Sequence, residues 1–282
     1  MTKGFLMIAM NNPKVDYLKQ AYYSAKRLYE LTGLKSAVVT DGEGYIRRVF
    51  EDYKKYIDVI NSRTITIDRK NTQRRYYDGH HSYKMLPFQN EFRVAAFDVS
   101  PYDETLLIDT DILWNNKDIF KVFDDAYLND FALYKKCVPL NPSVDYDEFM
   151  TINHAGIDFY WATCVYFKKT DRVKKYFDTV KHLYDNWDYF SVAFDLRRKV
   201  FRNDYLFSLA LHYMNDFTTN TFASELPGTL YFTIDKDILL ENTHKQCFDL
   251  SHGDVYAYTE VQNENIHVMN KFSLGRVYDQ NG

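Results

Sequence analysis

ETLLIDTDILW, residues 104–114, sets two carboxylates, Asp109 and Asp111, one residue apart at the exit of an apolar run. The run 105–108 predicts a strand buried on both faces. In open α/β sheets ligands bind beyond the carboxyl ends of strands, so a site is expected where this run stops. Neighbouring anions repel one another and are costly to desolvate unless a cation or strong donors compensate them. A magnesium or manganese ion is the expected remedy, because it prefers carboxylate oxygens and leaves positions for phosphate and water. The plainer alternative is a surface turn in which both Asp residues cap the next helix. An Asp-x-Asp triplet alone is a weak signal, and the elements ahead of it are what favour the metal.

Those elements alternate. Residues 4–10 form an apolar run that stops at Asn11 without a small-residue cleavage site, which reads as a first strand and not an export signal. Asn12 and Pro13 read as N-cap and first residue of a helix carrying Val15, Leu18, Tyr22, Ala25 and Tyr29 on one stripe, with Gly33 as its stop. A strand at 37–39, a helical pattern through Ile46, Val49, Phe50 and Tyr53, and a strand at 59–60 follow, indicating a parallel sheet with crossover helices. Residues 63–83 lack periodicity and read as a functional loop or flap, ahead of a helix from Lys84 to about Phe97. Beyond the acidic pair the pattern predicts a helix at 118–123, strands at 131–134 and 164–167, and a helix capped by Thr170 that buries Val173 to Trp187. A second helix, 204–214, is capped by Asn203, and short strands are expected at 230–233, 255–258 and 266–269. One 282-residue domain is expected.

Composition narrows the class. The chain is 46% hydrophobic and 26% charged, with no stretch approaching the roughly 20 apolar residues of a membrane span, so a soluble globular protein is expected. Cys137, Cys164 and Cys247 are dispersed and odd in number, which suits neither a disulfide framework nor a zinc cluster and points to the reducing cytoplasm. A net charge of -4 argues against a protein uniformly coating nucleic acid. Locally, however, Arg69, Lys70, Arg74, Arg75 and Lys84 are interleaved with Tyr76, Tyr77 and Tyr83, and Arg197, Arg198, Lys199 and Arg202 precede Asp204. Basic residues with aromatics can track a phosphate backbone and stack a base, although such runs are commonly just solvated loops.

The run 83–123, with Lys84 near its start, Tyr102-Asp103 ahead of the apolar strand and then Asp109-x-Asp111, resembles the GT-A fold nucleotide-sugar glycosyltransferases, glycogenin-like and bacterial galactosyltransferase-like enzymes above all. The resemblance covers roughly the first two-thirds of the chain. It implies an α/β fold with a GT-A type Rossmann-like mixed sheet and helices on both faces. A nucleotide-sugar-binding half would span 1–135, and an acceptor-binding half with a closing segment 136–282. By the same likeness Asp109, Asp111 and His267 would hold Mn2+ or Mg2+, while Asn11, Lys84, Asp109, Asn153 (beside His154) and Lys271 would contact a nucleotide-diphosphate sugar, a UDP-sugar first among them. Asp204, Asp111 and Lys271 would serve catalysis. The late His lacks the Gly and Lys-Pro-Trp that commonly accompany it, and Asp204 lacks a following Gln. His267 as a hydrogen-bonded strand residue, Asp204 as a helix-dipole partner, and Asn11 as part of a turn are the simpler readings. The richness in Tyr, Phe, Asn, Asp and Lys is also similar to bacteriophage proteins, some of which glycosylate hydroxymethylated cytosine. DNA contacted by Arg69, Lys70, Arg74, Arg75, Arg197 and Arg198 is therefore one expected acceptor, and a glycan or protein hydroxyl its rival.

Glycosyl transfer passes through an oxocarbenium-like transition state as charge gathers on the leaving diphosphate, so cations at the phosphates are the core of the expected catalysis. The glycogenin likeness tilts the expectation toward retention. Two other classes compete. A haloacid-dehalogenase-like phosphatase also ends a strand in Asp-x-Asp, with the first Asp as nucleophile, but normally after its first strand. A non-catalytic sugar-nucleotide or nucleic-acid binding module would bind without turnover.

Overall fold

The computed structural model describes residues 1–67, 73–89, 91–152, 156–196 and 201–280. The alternating pattern yields β1 (Lys3–Ile8), α1 (Tyr17–Thr32), β2 (Ser36–Thr40), α2 (Glu43–Val49) and β3 (Ile57–Asn61). A hairpin of β4 (Gln73–Tyr77) and β5 (Tyr83–Pro87) leads to a 3-10 turn at Glu91–Ala95 and to α3 (Ala96–Val99). Next come β6 (Glu104–Ile108), β7 (Ile112–Leu113), β8 (Phe131–Tyr134), β9 (Val138–Pro139), β10 (Thr151–Ile152), β11 (Ile157–Asp158) and β12 (Trp161–Lys168). After α4 (Asp171–Asp185), α5 (Trp187–Ala193) and α6 (Asn203–Met214) follow β13 (Ser224–Glu225), β14 (Leu230–Phe232), β15 (Ile238–Asn242), β16 (Gln246–His252), β17 (Val255–Val261), β18 (Asn265–His267) and α7 (Lys271–Gln280).

Seven strands form one mixed sheet in the order β13-β8-β12-β6-β1-β2-β3. β6, β1, β2 and β3 are parallel, whereas β12 runs antiparallel to both β6 and β8. Parallel β1-α1-β2-α2-β3 units of this kind form right-handed crossovers, which put α1 and α2 on one face. The return from β3 past β1 to β6 brings the 91–95 turn to the other, where α4 packs on that turn and on α6. The chain thus forms the expected α/β, Rossmann-like mixed sheet with helices on both faces. β6 is buried along its whole length, and its carboxyl end delivers Asp109, whose N–H donates to Thr163 O of β12 at 3.0 Å.

β7 then leaves this sheet. It pairs antiparallel with β18 in a second sheet ordered β7-β18-β14-β9, so that Ile112 faces His267 in register. Val268 N–H donates to Asp111 O at 2.9 Å, and Thr233 N–H to His267 O at 3.0 Å. A segment more than 150 residues away in sequence is in this way stitched to the acidic pair by backbone hydrogen bonds.

Several local expectations are corrected. α1 starts at Tyr17, not at Pro13, because Asn12 Oδ1 accepts from the N–H groups of Lys14 and Val15 in a turn of its own while Asp16 Oδ1 caps Lys19 N–H at 2.9 Å. Gly33 does close the helix, with φ 73° and its N–H on Tyr29 O at 2.8 Å. The expected helix from Lys84 to Phe97 is replaced by β5 and the 3-10 turn. Pro87 supplies no N–H and biases Leu86 toward extended backbone, while Tyr76 and Leu86 pack with Val15 as a small cluster under the hairpin. Within the predicted loop 63–83, the described residues from Gln73 onward are therefore half of a hairpin whose turn uses Gly79 at φ 79°. Trp187 opens α5 instead of extending α4, and Asn203 is the first residue of α6, not its cap. Among the described residues all three cysteines are buried and free, and no helix is long and apolar enough to cross a membrane.

Candidate active site

At the carboxyl end of β6 a cavity of about 280 Å³ opens between the main sheet, α6 and the second sheet. Asp109, Asp111 and His267 share its wall, and one ligand-type atom from each lies within 4.8 Å of the others. His267 Nε2 is 3.2 Å from Asp111 Oδ2 and 3.8 Å from Asp109 Oδ2. The Lys271 ammonium, from the first residue of α7, contacts that same Asp111 oxygen and donates to Val268 O at 3.3 Å. Asp111, His267 and Lys271 are all buried, whereas Asp109 is about one-third exposed to the cavity.

The pair is compensated from two sides. Arg93, carried by the 3-10 turn and 3% exposed, bonds to Asp109 Oδ1 and also donates to Ala162 O and Thr163 O. Burial pushes the Asp109 carboxyl up, but the Arg93 guanidinium, His267 and Lys271 outweigh it and hold the group below the usual carboxylate range. Burial pushes the His267 imidazole down, with Asp109 opposing, which favours the neutral form that a metal requires. Burial and Arg74 likewise lower the Lys271 ammonium to about 7, against the pull of Asp109, while contact with the Asp111 carboxylate favours the charged form.

Two carboxylates and an imidazole converging within 4.8 Å fit a small, hard divalent cation such as Mn2+ or Mg2+. One feature departs from common practice: His267 Nδ1 is buried without a hydrogen-bond partner among the described residues, where a ligating His usually donates from its second nitrogen. The lysine contact matters more, because Lys271 rests on one of the two Asp111 oxygens that a cation could use.

The remaining wall carries Arg74 and Arg202 together with Tyr17, Phe88 and Trp161. Arg74 reaches in from the hairpin, lies 3.5 Å from Asp235 and covers the Tyr76 and Phe88 rings. Asp204, at the start of α6, also lines the cavity, with Oδ1 accepting from Ala162 N–H at 2.9 Å and Oδ2 from Arg202 Nε at 2.8 Å.

The sequence candidates are thus distributed unevenly. Asp109, Asp111, His267, Lys271 and Asp204 come together at one cavity. Asn11 does not line it: its side chain accepts from Leu18 N–H and donates to Asp16, fixing the start of α1. Lys84 also stands outside the lining, its ammonium 5.8 Å over the Phe272 ring, because β5 replaces the helix that would have carried it. Asn153, His154, Arg69, Lys70, Arg197, Arg198 and Lys199 lie outside the described residues. Arg74 is drawn inward by Asp235, and Arg75 lies over the Tyr83 ring on the outer hairpin. Arg93 was not anticipated. Its signal is an arginine inside the otherwise apolar run Phe92, Val94, Ala95, Ala96, Phe97, a placement that costs free energy unless a buried anion waits for it.

No protein-family model and no curated protein matches the chain. Solved structures overlay on it weakly. Apo glycosyltransferase GlyE of Streptococcus pneumoniae TIGR4 is 16% identical with a TM-score of 0.44, over 80% of this chain and 45% of GlyE. An active-site mutant of LgtC gives 12% and 0.45, over 79% of this chain and 72% of that one. Bifunctional IspDF from Campylobacter jejuni gives 12% and 0.38, over 81% and 50%. The chain therefore spans less than half the length of GlyE, and likenesses at this level say nothing about its reaction.

Replacing Arg93 by Met is expected to destabilise the protein by about 3–5 kcal/mol, since it strands the Asp109 carboxylate beside a buried strand end. Urea unfolding of the two proteins at neutral pH measures this, and a loss under about 1 kcal/mol would mean that Arg93 does not carry the compensation.

Proposed function

We propose that the cavity binds a nucleotide-diphosphate sugar and that the protein transfers the sugar to a hydroxyl acceptor, with a divalent cation held by Asp109, Asp111 and His267. The convergence of these three side chains on one point, with Lys271 beside them, carries the reading. When bound, the cation would supply Lewis-acid neutralisation of charge on the leaving diphosphate. The chain's own cations complete the phosphate environment. Arg74 and Lys271 are the groups we assign to the diphosphate, and the Lys271 ammonium exchanges its Asp111 contact for a phosphate oxygen. Tyr17 and Phe88 provide apolar surface for the base.

Asp204 presents the second carboxylate of the cavity. Its oxygens are fixed by Ala162 N–H and Arg202, so it stands as a positioned anion, which we assign to the sugar face where positive charge develops at the anomeric carbon. UDP-sugars are the donors we favour, and the acceptor is a hydroxyl compound. Of the arginines and lysines expected at a DNA acceptor, only Arg74 and Arg75 are described, the first paired with Asp235 and the second over the Tyr83 ring, and we favour a glycan or protein hydroxyl.

Incubation with a panel of nucleotide sugars and Mn2+ tests the assignment through release of nucleoside diphosphate. Release from at least one donor is expected, and the Asp109→Asn, Asp111→Asn double variant should lose about 100-fold or more of it. Hydrolysis of p-nitrophenyl phosphate without release of any nucleoside diphosphate would instead establish a phosphatase.

A second expectation follows from the shared Asp111 oxygen. Lys271→Met removes the internal competitor, so Mn2+ affinity in the absence of nucleotide should rise about tenfold, equivalent to about 1.4 kcal/mol, while donor turnover falls. Calorimetric titration of Mn2+ into both proteins decides it, and equal or weaker binding by the variant would contradict the competition.

A further inference from the structure

We infer that a second cavity, of about 550 Å³, is the acceptor subsite, and that it takes an uncharged, hydroxyl-rich compound of mono- or disaccharide size. This rests on the donor reading above. The cavity is walled by His80 from the hairpin turn, Ser143 and Asp145, Lys236, and His252 at the end of β16. Ile234 belongs to both cavities, Asp235 next to it lines the donor cavity, and Lys236 after that lines the second. The two cavities therefore adjoin at residues 234–236.

The cavity is held by a buried polar framework. Asn141, 1% exposed, donates to Asp237 Oδ1 at 3.0 Å and to Ser251 O at 2.6 Å. Asp237, equally buried, accepts from Ser251 N–H at 2.8 Å and Ile234 N–H at 2.9 Å. These bonds fix the segments bearing Ser143, Lys236 and His252 relative to one another, while His80 N–H is tied to the Tyr256 hydroxyl at 2.6 Å. Such a network satisfies its own groups and leaves the wall pre-organised for a ligand.

The chemistry of the wall selects the ligand. Ser143 and His252 bond to each other, and His80 lies 3.4 Å from both Ser251 Oγ and Asp254 Oδ1, giving rotatable or two-sided hydrogen-bonding groups of the kind that match sugar hydroxyls. Lys236 and Asp145 bring one charge of each sign to the wall, and the Lys236 ammonium lies 5.3 Å over the Tyr77 ring. No arginine lines the cavity among the described residues, so it lacks the cation cluster that tracks a phosphate backbone.

Saturation-transfer NMR with methyl glycosides and disaccharides of glucose and galactose tests the inference. It is run with Mg2+ and whichever nucleoside diphosphate among UDP, GDP, CDP, ADP and dTDP most raises the thermal midpoint. At least one saccharide is expected to bind. Ser143→Trp, which fills the cavity, should weaken it at least tenfold and His252→Ala at least threefold, with the nucleotide-induced thermal shift unchanged in both. If no nucleoside diphosphate shifts the wild-type protein, the donor reading itself fails. An intact nucleotide shift with no saccharide signal, or with a saccharide signal that both variants leave unaltered, overturns the acceptor assignment alone. So does displacement of the saccharide by a short single-stranded DNA at comparable concentration.

Discussion

Two carboxylates one residue apart at the tip of a buried strand form an electrostatic problem that the rest of this molecule is arranged to answer. Asp109 and Asp111 cannot both stay ionised there without positive charge within a few ångströms. The answer comes from the Arg93 guanidinium in the turn before β6 and the Lys271 ammonium of α7, with the His267 imidazole of β18 beside them. Each arrives on a different element, so the packing of those elements and the ionisation of the pair are one requirement. The β7–β18 pairing is its backbone expression, since it both leads the chain away from Asp111 and returns His267 to it.

That solution also defines what the site does next. Arg93 is fully committed, with contacts to Asp109 and to two carbonyls of β12, and serves to hold the strand end. Lys271 contacts, among the described residues, Asp111 and the Val268 carbonyl, where on the proposed reading a divalent cation would compete with it. On that reading, a cation that displaced it would free an ammonium for a diphosphate in the cavity. Metal and phosphate would then, on the proposed reading, be coupled through this one side chain by charge balance.

The acidic pair is legible in the sequence because an uninterrupted apolar run ending in two anions has few comfortable explanations. The β1-α1-β2 opening is legible for a similar reason, with Gly33 placed where only a left-handed residue closes the helix. Less can be read where local signals compete. Asn12-Pro13 looks like a helix start, yet the Asx turn of Asn12 and the cap by Asp16 shift the start to Tyr17. Residues 84–97 carry helix formers, but Pro87 and the pairing with β4 override them, and Lys84 is carried out of the site as a result. Arg93 is hidden because its partner is distant in fold and not in pattern, and β15 and β16 have no periodicity strong enough to separate strand from loop. The placement of His267 depends on a strand pairing across more than 150 residues, which no local signal encodes.

The whole arrangement serves a donor only if Asp109, Asp111 and His267 grip one divalent ion. Electron-nuclear double resonance on protein-bound Mn2+ addresses this directly, because a ligating imidazole gives a nitrogen hyperfine coupling that water and carboxylates do not. One nitrogen coupling, abolished by His267→Leu while some Mn2+ binding persists through the two Asp residues, is the predicted result. Bound Mn2+ with no nitrogen coupling, or no tight Mn2+ at all, would contradict it.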